Sequence, residues 1–140
     1  MERVSTDVIC ASTGIPSVDP DGAATLAVAS LATVRTHSKS IRGASVITLH
    51  YKATVSSGAP DVDLYLEQGP GAPTIEGSAG DATDGWVTVG NKIADITDEN
   101  WHALSISAAV LPFLRFRAEG QGANPASCKL ALKLGQQTLF

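Results

Sequence analysis

The stretch that decides the fold of this chain runs from Ser45 to Gln68 and reads SVITLHYKATV, SSGAP and DVDLYLEQ. Apolar and polar side chains alternate on both sides of the Ser/Gly/Pro break, and this period of two is typical of strands with one buried face. The apolar members are Ile47, Leu49, Tyr51, Ala53 and Val55 before the break and Val62, Leu64 and Leu66 after it. The stretch therefore predicts two β-strands, each with one face turned to a core.

Two arrangements of these strands are open. A hairpin with coinciding apolar faces places Tyr51 opposite Leu66. It also places His50 opposite Glu67 on the outer face, and such cross-strand pairs contribute ~0.2–1 kcal/mol each. If the strands lie in different sheets instead, each keeps its apolar face but these cross-strand pairs are lost.

The remainder of the chain repeats short β-type runs between Gly-, Pro-, Ser- and Asp-rich connections. Strands are predicted at 25–30, 31–37, 46–55, 62–67, 86–89, 93–96, 101–107, 113–118 and 128–134. No helix is predicted, because strand-like alternation follows at once after Thr97-Asp98-Glu99, the nearest approach to a helix start. About eight short strands of this kind indicate a single antiparallel β-sandwich, jelly-roll or immunoglobulin-like. The predicted core comprises Ile47, Leu49, Tyr51, Val62, Leu64, Leu66, Leu114, Phe116, Leu130 and Leu132.

The N-terminal segment predicts a separate element. We divide the all-β chain into an extended N-terminal arm, residues 1–23, and a sandwich domain, residues 24–140. Between residues 12 and 22 the only large apolar side chains are Ile15 and Val18. So few apolar groups do not offset a backbone ordering cost of ~1–2 kcal/mol per residue. We therefore expect Ile15 and Val18 to contact a sister subunit or another partner, as we do for the Gly-rich segment 69–85.

Composition restricts the partners. The chain has 140 residues, enough for one core, and a formal net charge of −4. That charge argues against nucleic acid, since phosphate binding needs concentrated Lys and Arg. No apolar run approaches the ~20 residues of a membrane span, and the N-terminus lacks a signal-peptide pattern. We therefore expect no nucleic-acid partner and no membrane partner.

Neither cysteine predicts a covalent or metal site. Cys10 and Cys128 are too few for a disulfide framework, although one bridge between them is possible in principle. Cys128 is in phase with Leu130 and Leu132, so we predict that it is a small buried hydrophobic residue.

No group of residues predicts catalysis. Asp61, Asp63 and Glu67 share one strand face, which a paired-carboxylate hydrolase would need, but alternating acids on a solvated strand face are ordinary. His102 is in phase with Leu104, which favours a partly buried histidine over a catalytic base. The sequence holds no nucleophile elbow, no phosphate-binding loop and no Cys-x-x-Cys pair. We predict a protein that is not an enzyme and takes no cofactor and no metal.

The run Phe113-Leu-Arg-Phe-Arg117 is the sharpest local feature. Its phasing turns Leu114 and Phe116 to the core and Phe113, Arg115 and Arg117 outward. Arginine and aromatic side chains are enriched at protein interfaces, so Phe113, Arg115 and Arg117 are candidate interface residues. The alternative is a solvated face that balances the acidic surface.

The run from residue 45 to residue 134 resembles β-sandwich accessory proteins of tailed-bacteriophage virions, of the head decoration or cement type. The likeness is carried by DVDLYLE after the Ser/Gly/Pro break, a Gly-rich excursion, the DGWV strand, the step Ile96-Thr97 and FLRFRA. The resemblance implies a non-enzymatic structural virion protein that binds and stabilises the capsid lattice. It further implies binding to the major capsid protein or other virion proteins, often as a homo-oligomer, and a location in the virion after synthesis in the host cytoplasm.

A carbohydrate- or receptor-binding β-sandwich module of a phage tail or neck is the alternative. Trp86 or Trp101 would supply a stacking platform for a sugar. Each flanks the start of a predicted strand, where large aromatic side chains also serve to close the end of a sandwich. Two coplanar, exposed tryptophans on one surface would favour sugar binding.

Overall fold

The structure is a computed structural model of the chain. It describes residues 2–8, 25–36, 39–40, 46–69, 85–106 and 113–139, and for 2–8, 39–40, 46 and 136–139 it describes the backbone path. Every regular element among these residues is a β-strand, so the all-β prediction is confirmed. The strands are β1 Glu2–Val8, β2 Leu26–Ala27, β3 Thr33–Arg35, β4 Lys39–Ser40, β5 Val46–Thr54, β6 Val62–Gly69, β7 Val87–Thr88, β8 Ala94–Ile96, β9 His102–Ile106, β10 Phe113–Gly120 and β11 Lys129–Leu139.

The strands form two antiparallel sheets that pack face to face. Sheet I has the order β1-β11-β5-β9, and β2 also pairs with β11. Sheet II has the order β3-β10-β6-β7, with β4 also paired to β10 and β8 also paired to β6. The short strands share edges: β1 and β2 pair with successive parts of β11, as β4 and β3 do with β10. Each sheet is therefore four strand positions wide.

The pairing of these positions is that of a jelly roll. The first position, β1 with β2, pairs with the last strand β11, and the second, β3 with β4, pairs with β10. Inside these pairs, β5 pairs with β9, and β6 pairs with β7 and β8. A long antiparallel hairpin folded over into two sheets pairs its strands in this nested way. Of the two sandwich types left open by the sequence, this topology selects the jelly roll.

The core lies between the sheets and matches the phasing of the sequence. Every predicted core residue is buried except Tyr51, which packs against the margin of the core. Each fully buried Leu, Ile, Val or Phe contributes about 1.5–3 kcal/mol relative to exposure. Cys128 is also buried as a free thiol, as predicted, and desolvation by burial raises its pKa. Cys10 lies outside the described residues.

The hairpin of β5 and β6 is wrong, and the open alternative of two different sheets is correct. β5 pairs with β11 and β9, whereas β6 pairs with β10, β7 and β8. The residue beside His50 is consequently Lys133 on one side and Ala103 on the other, and the proposed pair with Glu67 does not form. The two apolar faces meet across the core, which buries both of them.

The N-terminal arm needs a partial correction. Residues 2–8 form the edge strand β1, paired along its whole length with β11. In ERVSTDV the β-branched residues Val4, Thr6 and Val8 alternate with polar ones, a short strand signal that the prediction of an arm left unused; the pairing with β11 defines the strand. Ile15 and Val18, the candidate contacts of the arm, lie outside the described residues.

The rejected helix near Asp98 is a bend. Asp98 Oδ1 accepts a hydrogen bond from the Asn100 backbone at 2.9 Å and lies 2.8 Å from His102 Nε2. The hydrogen bond with His102 lowers the pKa of Asp98. The His102 ring is half-buried and stacks on Tyr51 at a centroid distance of 5.3 Å, which confirms a partly buried histidine.

Candidate interaction surfaces

The outer face of sheet II carries an arginine cluster, which we define as Arg35, Glu67, Arg115 and Arg117. Strand register brings these residues together: Arg115 lies opposite Glu67, and Arg117 lies opposite Arg35. Arg115 Nε donates to Glu67 Oε1 at 2.7 Å, and Arg35 Nε donates to the same oxygen at 3.1 Å. Arg117 Nη1 donates to the other oxygen, Oε2, at 2.9 Å. One carboxylate therefore holds three guanidinium groups.

The Glu67 carboxylate is nearly removed from solvent, with a side-chain exposure of 5%. Desolvation by itself raises its pKa, but hydrogen bonds and charges from Arg115 and Arg35 outweigh that effect and lower the pKa overall. A carboxylate held in this way stays ionised at neutral pH and is a poor proton donor or acceptor. Asp63, on the same strand face, lies 3.3 Å from Lys92 Nζ in a more exposed ion pair.

Aromatic rings cover the cluster. The Arg115 guanidinium lies 4.3 Å from the centroid of the Trp86 ring, and that of Arg117 lies 4.4 Å from the Tyr65 ring. Trp86 packs onto the strand because position 69 is glycine: a Cβ there would lie 2.8 Å from the indole carbons. The Trp86 indole thus contacts both Gly69 and the Arg115 guanidinium, and the three residues form one stack.

The predicted exposure of the Phe113–Arg117 face is wrong for Arg115. Its side chain does point away from the core, but it is fully buried, with the Trp86 ring lying over its guanidinium group. Arg117 is partly buried, and its Nη1 also donates to Thr88 Oγ1 at 2.8 Å. Phe113 is half-buried. The interface role of Phe113 and Arg117 stays a prediction.

The outer face of sheet I carries a different arrangement, which we call the lysine–tryptophan face: His50, Lys52, Trp101, Lys129 and Lys133. The side chain of Trp101 is 46% exposed. The ammonium of Lys133 lies 5.0 Å from the centroid of its ring, and that of Lys52 lies 6.0 Å from it. Within the part of the chain that the structure describes, no ion pair involves any of the three lysines.

The sequence contained part of the signal for this face. Lys129 and Lys133 alternate out of phase with the core leucines of β11, and His50 and Lys52 do so in β5. What the pattern lacked was the pairing of two strands far apart in sequence, which sets Lys133 opposite His50 and Lys52 opposite Ala131. Arg35 was missed for the same reason, since its neighbours come from β10 and β6.

The two tryptophans do not form a joint platform. Trp86 covers Arg115 on the outer face of sheet II, whereas Trp101 lies beside lysines of sheet I. These are opposite sides of the sandwich. The condition for a paired sugar-stacking surface, two exposed coplanar rings on one side, is not met.

One end of the sandwich is held by a buried asparagine. Asn124 Nδ2 donates to the Val28 carbonyl at 2.8 Å, and its Oδ1 accepts from the Asp61 backbone at 3.0 Å. This side chain thereby ties together the β2–β3, β5–β6 and β10–β11 connections. Leu31 lies at the tip of the first of these, with φ of 59° and 81% exposure. The rigid loop base presents a single apolar side chain.

No protein-family model and no curated protein sequence matches the chain. The residues described by the structure contain no group of three or more His, Cys, Asp or Glu side chains able to hold a metal ion. Nor do those residues include a helix long and apolar enough to cross a membrane.

Proposed function

We propose that this protein is a non-enzymatic structural component of a bacteriophage virion, a decoration or cement protein that binds and stabilises the capsid lattice. The observation that carries the proposal is the jelly-roll topology, an architecture common among viral capsid domains. Because a fold alone does not define a function, the resemblance of residues 45–134 to virion accessory proteins supplies the second support.

The proposed role is mechanical. A rigid sandwich that touches two neighbouring capsid proteins, or joins sister subunits across them, adds buried surface that particle expansion must break. Stable protein interfaces bury about 1,200–2,000 Å² in total. A jelly roll offers two broad outer faces and a rigid loop end for such contacts, and here Asn124 fixes that end.

Particles with and without this protein test the proposal. Particles would be assembled from the structural proteins encoded beside it, imaged by electron cryo-microscopy and heated to measure release of their contents. We expect extra density on the capsid and release at a higher temperature when the protein is present. A protein that is absent from purified particles, or leaves their heat resistance unchanged, contradicts the proposal.

A carbohydrate- or receptor-binding module is the second candidate, because lectin domains also adopt the jelly roll and Trp101 is 46% exposed. A glycan array separates the two functions. Binding of a neutral glycan that is lost in Trp101→Ala and kept in Trp86→Phe would favour this candidate over the capsid role.

A further inference from the structure

We infer that the lysine–tryptophan face docks an acidic segment of a partner protein, whose carboxylates pair with Lys52, Lys129 and Lys133. The inference rests on the proposed function, because it names the surface through which the virion protein would attach. Its chemistry is defined by the ammonium groups of Lys52 and Lys133 beside one half-exposed indole, with the exposed Lys129 on the same sheet face.

The charge distribution favours an anionic occupant. The chain as a whole has a formal net charge of −4, yet no described acid forms an ion pair with the lysines of this face. Asp98, three residues before Trp101, pairs with His102 of β9 instead. Glu67 and Glu119 lie beside arginines of sheet II, and Asp63 lies beside Lys92. The lysines of sheet I therefore form a local positive surface on an acidic protein, an arrangement that orients an acidic partner during encounter.

The shape of the face suits a polypeptide. Between the lysines and β9, the last described strand of sheet I on this side, the outward positions are small: Ala103 lies opposite His50, and Ser105 lies opposite Thr48. Both small residues are exposed, so a backbone can approach closely. The Trp101 ring, 46% exposed beside the Lys52 and Lys133 ammonium groups, adds an apolar contact of the kind that anchors interfaces.

Other occupants fit less well. A neutral sugar would have to displace the ammonium groups that lie over the Trp101 ring. A duplex nucleic acid is neutralised by rows of phosphate contacts, and three lysines on a flat sheet supply few of them. A two-fold contact with a second copy through this face would set the same lysines against each other.

Fluorine NMR with 5-fluorotryptophan tests the inference, since Trp86 and Trp101 give separate signals that Trp101→Phe assigns. The probe is a polyglutamate peptide at low ionic strength. We expect the Trp101 signal to shift with peptide while the Trp86 signal stays in place, and we expect added salt to reverse the shift. The double variant Lys52→Glu/Lys133→Glu should weaken binding about tenfold or more.

Lys92→Glu is the matched control, because it reverses the same charge on an exposed lysine next to sheet II. It should bind polyglutamate like the wild type. Lys52→Gln/Lys133→Gln provides a milder pair of substitutions if the charge-reversed protein does not fold. An unmoved Trp101 signal, or equal weakening in Lys92→Glu, overturns the inference. So does tighter binding of heparin or duplex DNA than of polyglutamate at this face.

Particle binding separates failure of this inference from failure of the proposed function. If Lys52→Glu/Lys133→Glu loses polyglutamate binding but attaches to particles like the wild type, the assigned surface is wrong and the virion role stands. If the wild type binds polyglutamate through this face and never joins particles, the virion role is wrong and the acidic-protein site stands.

Discussion

The two outer faces of the sandwich use the same chemistry to opposite effect. Each places cationic side chains beside a tryptophan. In sheet II the cation next to Trp86, Arg115, is fully buried. In sheet I the tryptophan itself, Trp101, is 46% exposed between Lys52 and Lys133. One difference is a carboxylate: sheet II has Glu67 among its cations, and the corresponding positions of sheet I have none among the described residues. Where a carboxylate lies among the cations, it pairs with them and the group is a buried brace of the sheet. Where no carboxylate is present, the cationic groups remain accessible to solvent and to a partner.

The type of cationic side chain also differs between the two faces, arginine on sheet II and lysine on sheet I, and this difference has the same effect. Arginine presents a planar fork that bonds a carboxylate and stacks on a ring at the same time, and Arg115 does both. Lysine is a strongly hydrated point charge on a flexible stem, so it remains available to a partner. The comparison predicts that substitutions in the arginine cluster affect folding, whereas those on the lysine–tryptophan face affect binding.

The largest effect is expected at Glu67. Glu67→Gln preserves the size of the side chain but leaves three guanidinium groups around a neutral amide in a nearly dry site. Breaking a buried pair by removal of one partner costs about 3–5 kcal/mol. We expect the free energy of unfolding, measured in urea, to fall by about that amount. Asp63→Asn, which breaks a more exposed pair, should cost less than about 1 kcal/mol. Equal losses in the two variants would contradict the description of Glu67 as a buried brace.

A pair of glycine substitutions compares the two faces directly. In Gly69→Ala the new Cβ would meet Trp86 at 2.8 Å, so the indole must leave the strand and uncover Arg115. In Gly135→Ala the nearest neighbour is the Thr48 carbonyl at 3.7 Å, an ordinary contact. We expect Gly69→Ala to cost about 1–3 kcal/mol and to shift the Trp86 fluorescence. Gly135→Ala should be close to neutral. A similar loss of stability in both variants would show that Trp86 does not pack on Gly69.

Acid should destabilise the fold in part through Glu67. The pKa of Glu67 is lowered in the folded protein below its ordinary value of 4.5. A depressed folded pKa stabilises the fold above the unfolded pKa, and this contribution is lost as pH falls through the folded value. Stability should therefore decline below about pH 4.5 in the wild type and decline less in Glu67→Gln. Parallel pH profiles for the two proteins would show that Glu67 is not the responsible carboxylate.

These faces also show where the sequence was informative. The period of two predicted which side chains of β5, β6, β10 and β11 enter the core, and it correctly turned Arg115 outward. It could not show that an outward side chain is buried, because its cover, Trp86, comes from a different part of the chain. Nor could it pair β5 with β11, since alternation specifies faces but not neighbours.

The edge strand β1 was missed for another physical reason. Val4, Thr6 and Val8 give ERVSTDV a brief alternation, but so short a run does not show by itself whether the segment joins a sheet; its pairing with β11, far away in sequence, does. The jelly-roll topology likewise follows from which strands are neighbours, and short runs of alternating residues are compatible with several such orders. The sequence therefore predicted which side chains of a strand face the core. It did not predict which strands are neighbours or which residues lie over the outward side chains.

The smallest effect on folding is expected on the lysine–tryptophan face. Lys52→Gln/Lys133→Gln removes two contacts with the Trp101 ring, and contacts of this type at exposed sites contribute about 0.5–1 kcal/mol at most. No described carboxylate loses a partner, so no buried charge is left behind. The two contacts together contribute at most about 1–2 kcal/mol, so the free energy of unfolding in urea should fall by no more than that. The same substitutions should remove most of the binding to polyglutamate, because that binding depends on the ammonium groups. A large loss of stability without loss of binding would show that this face, like its counterpart, is a brace.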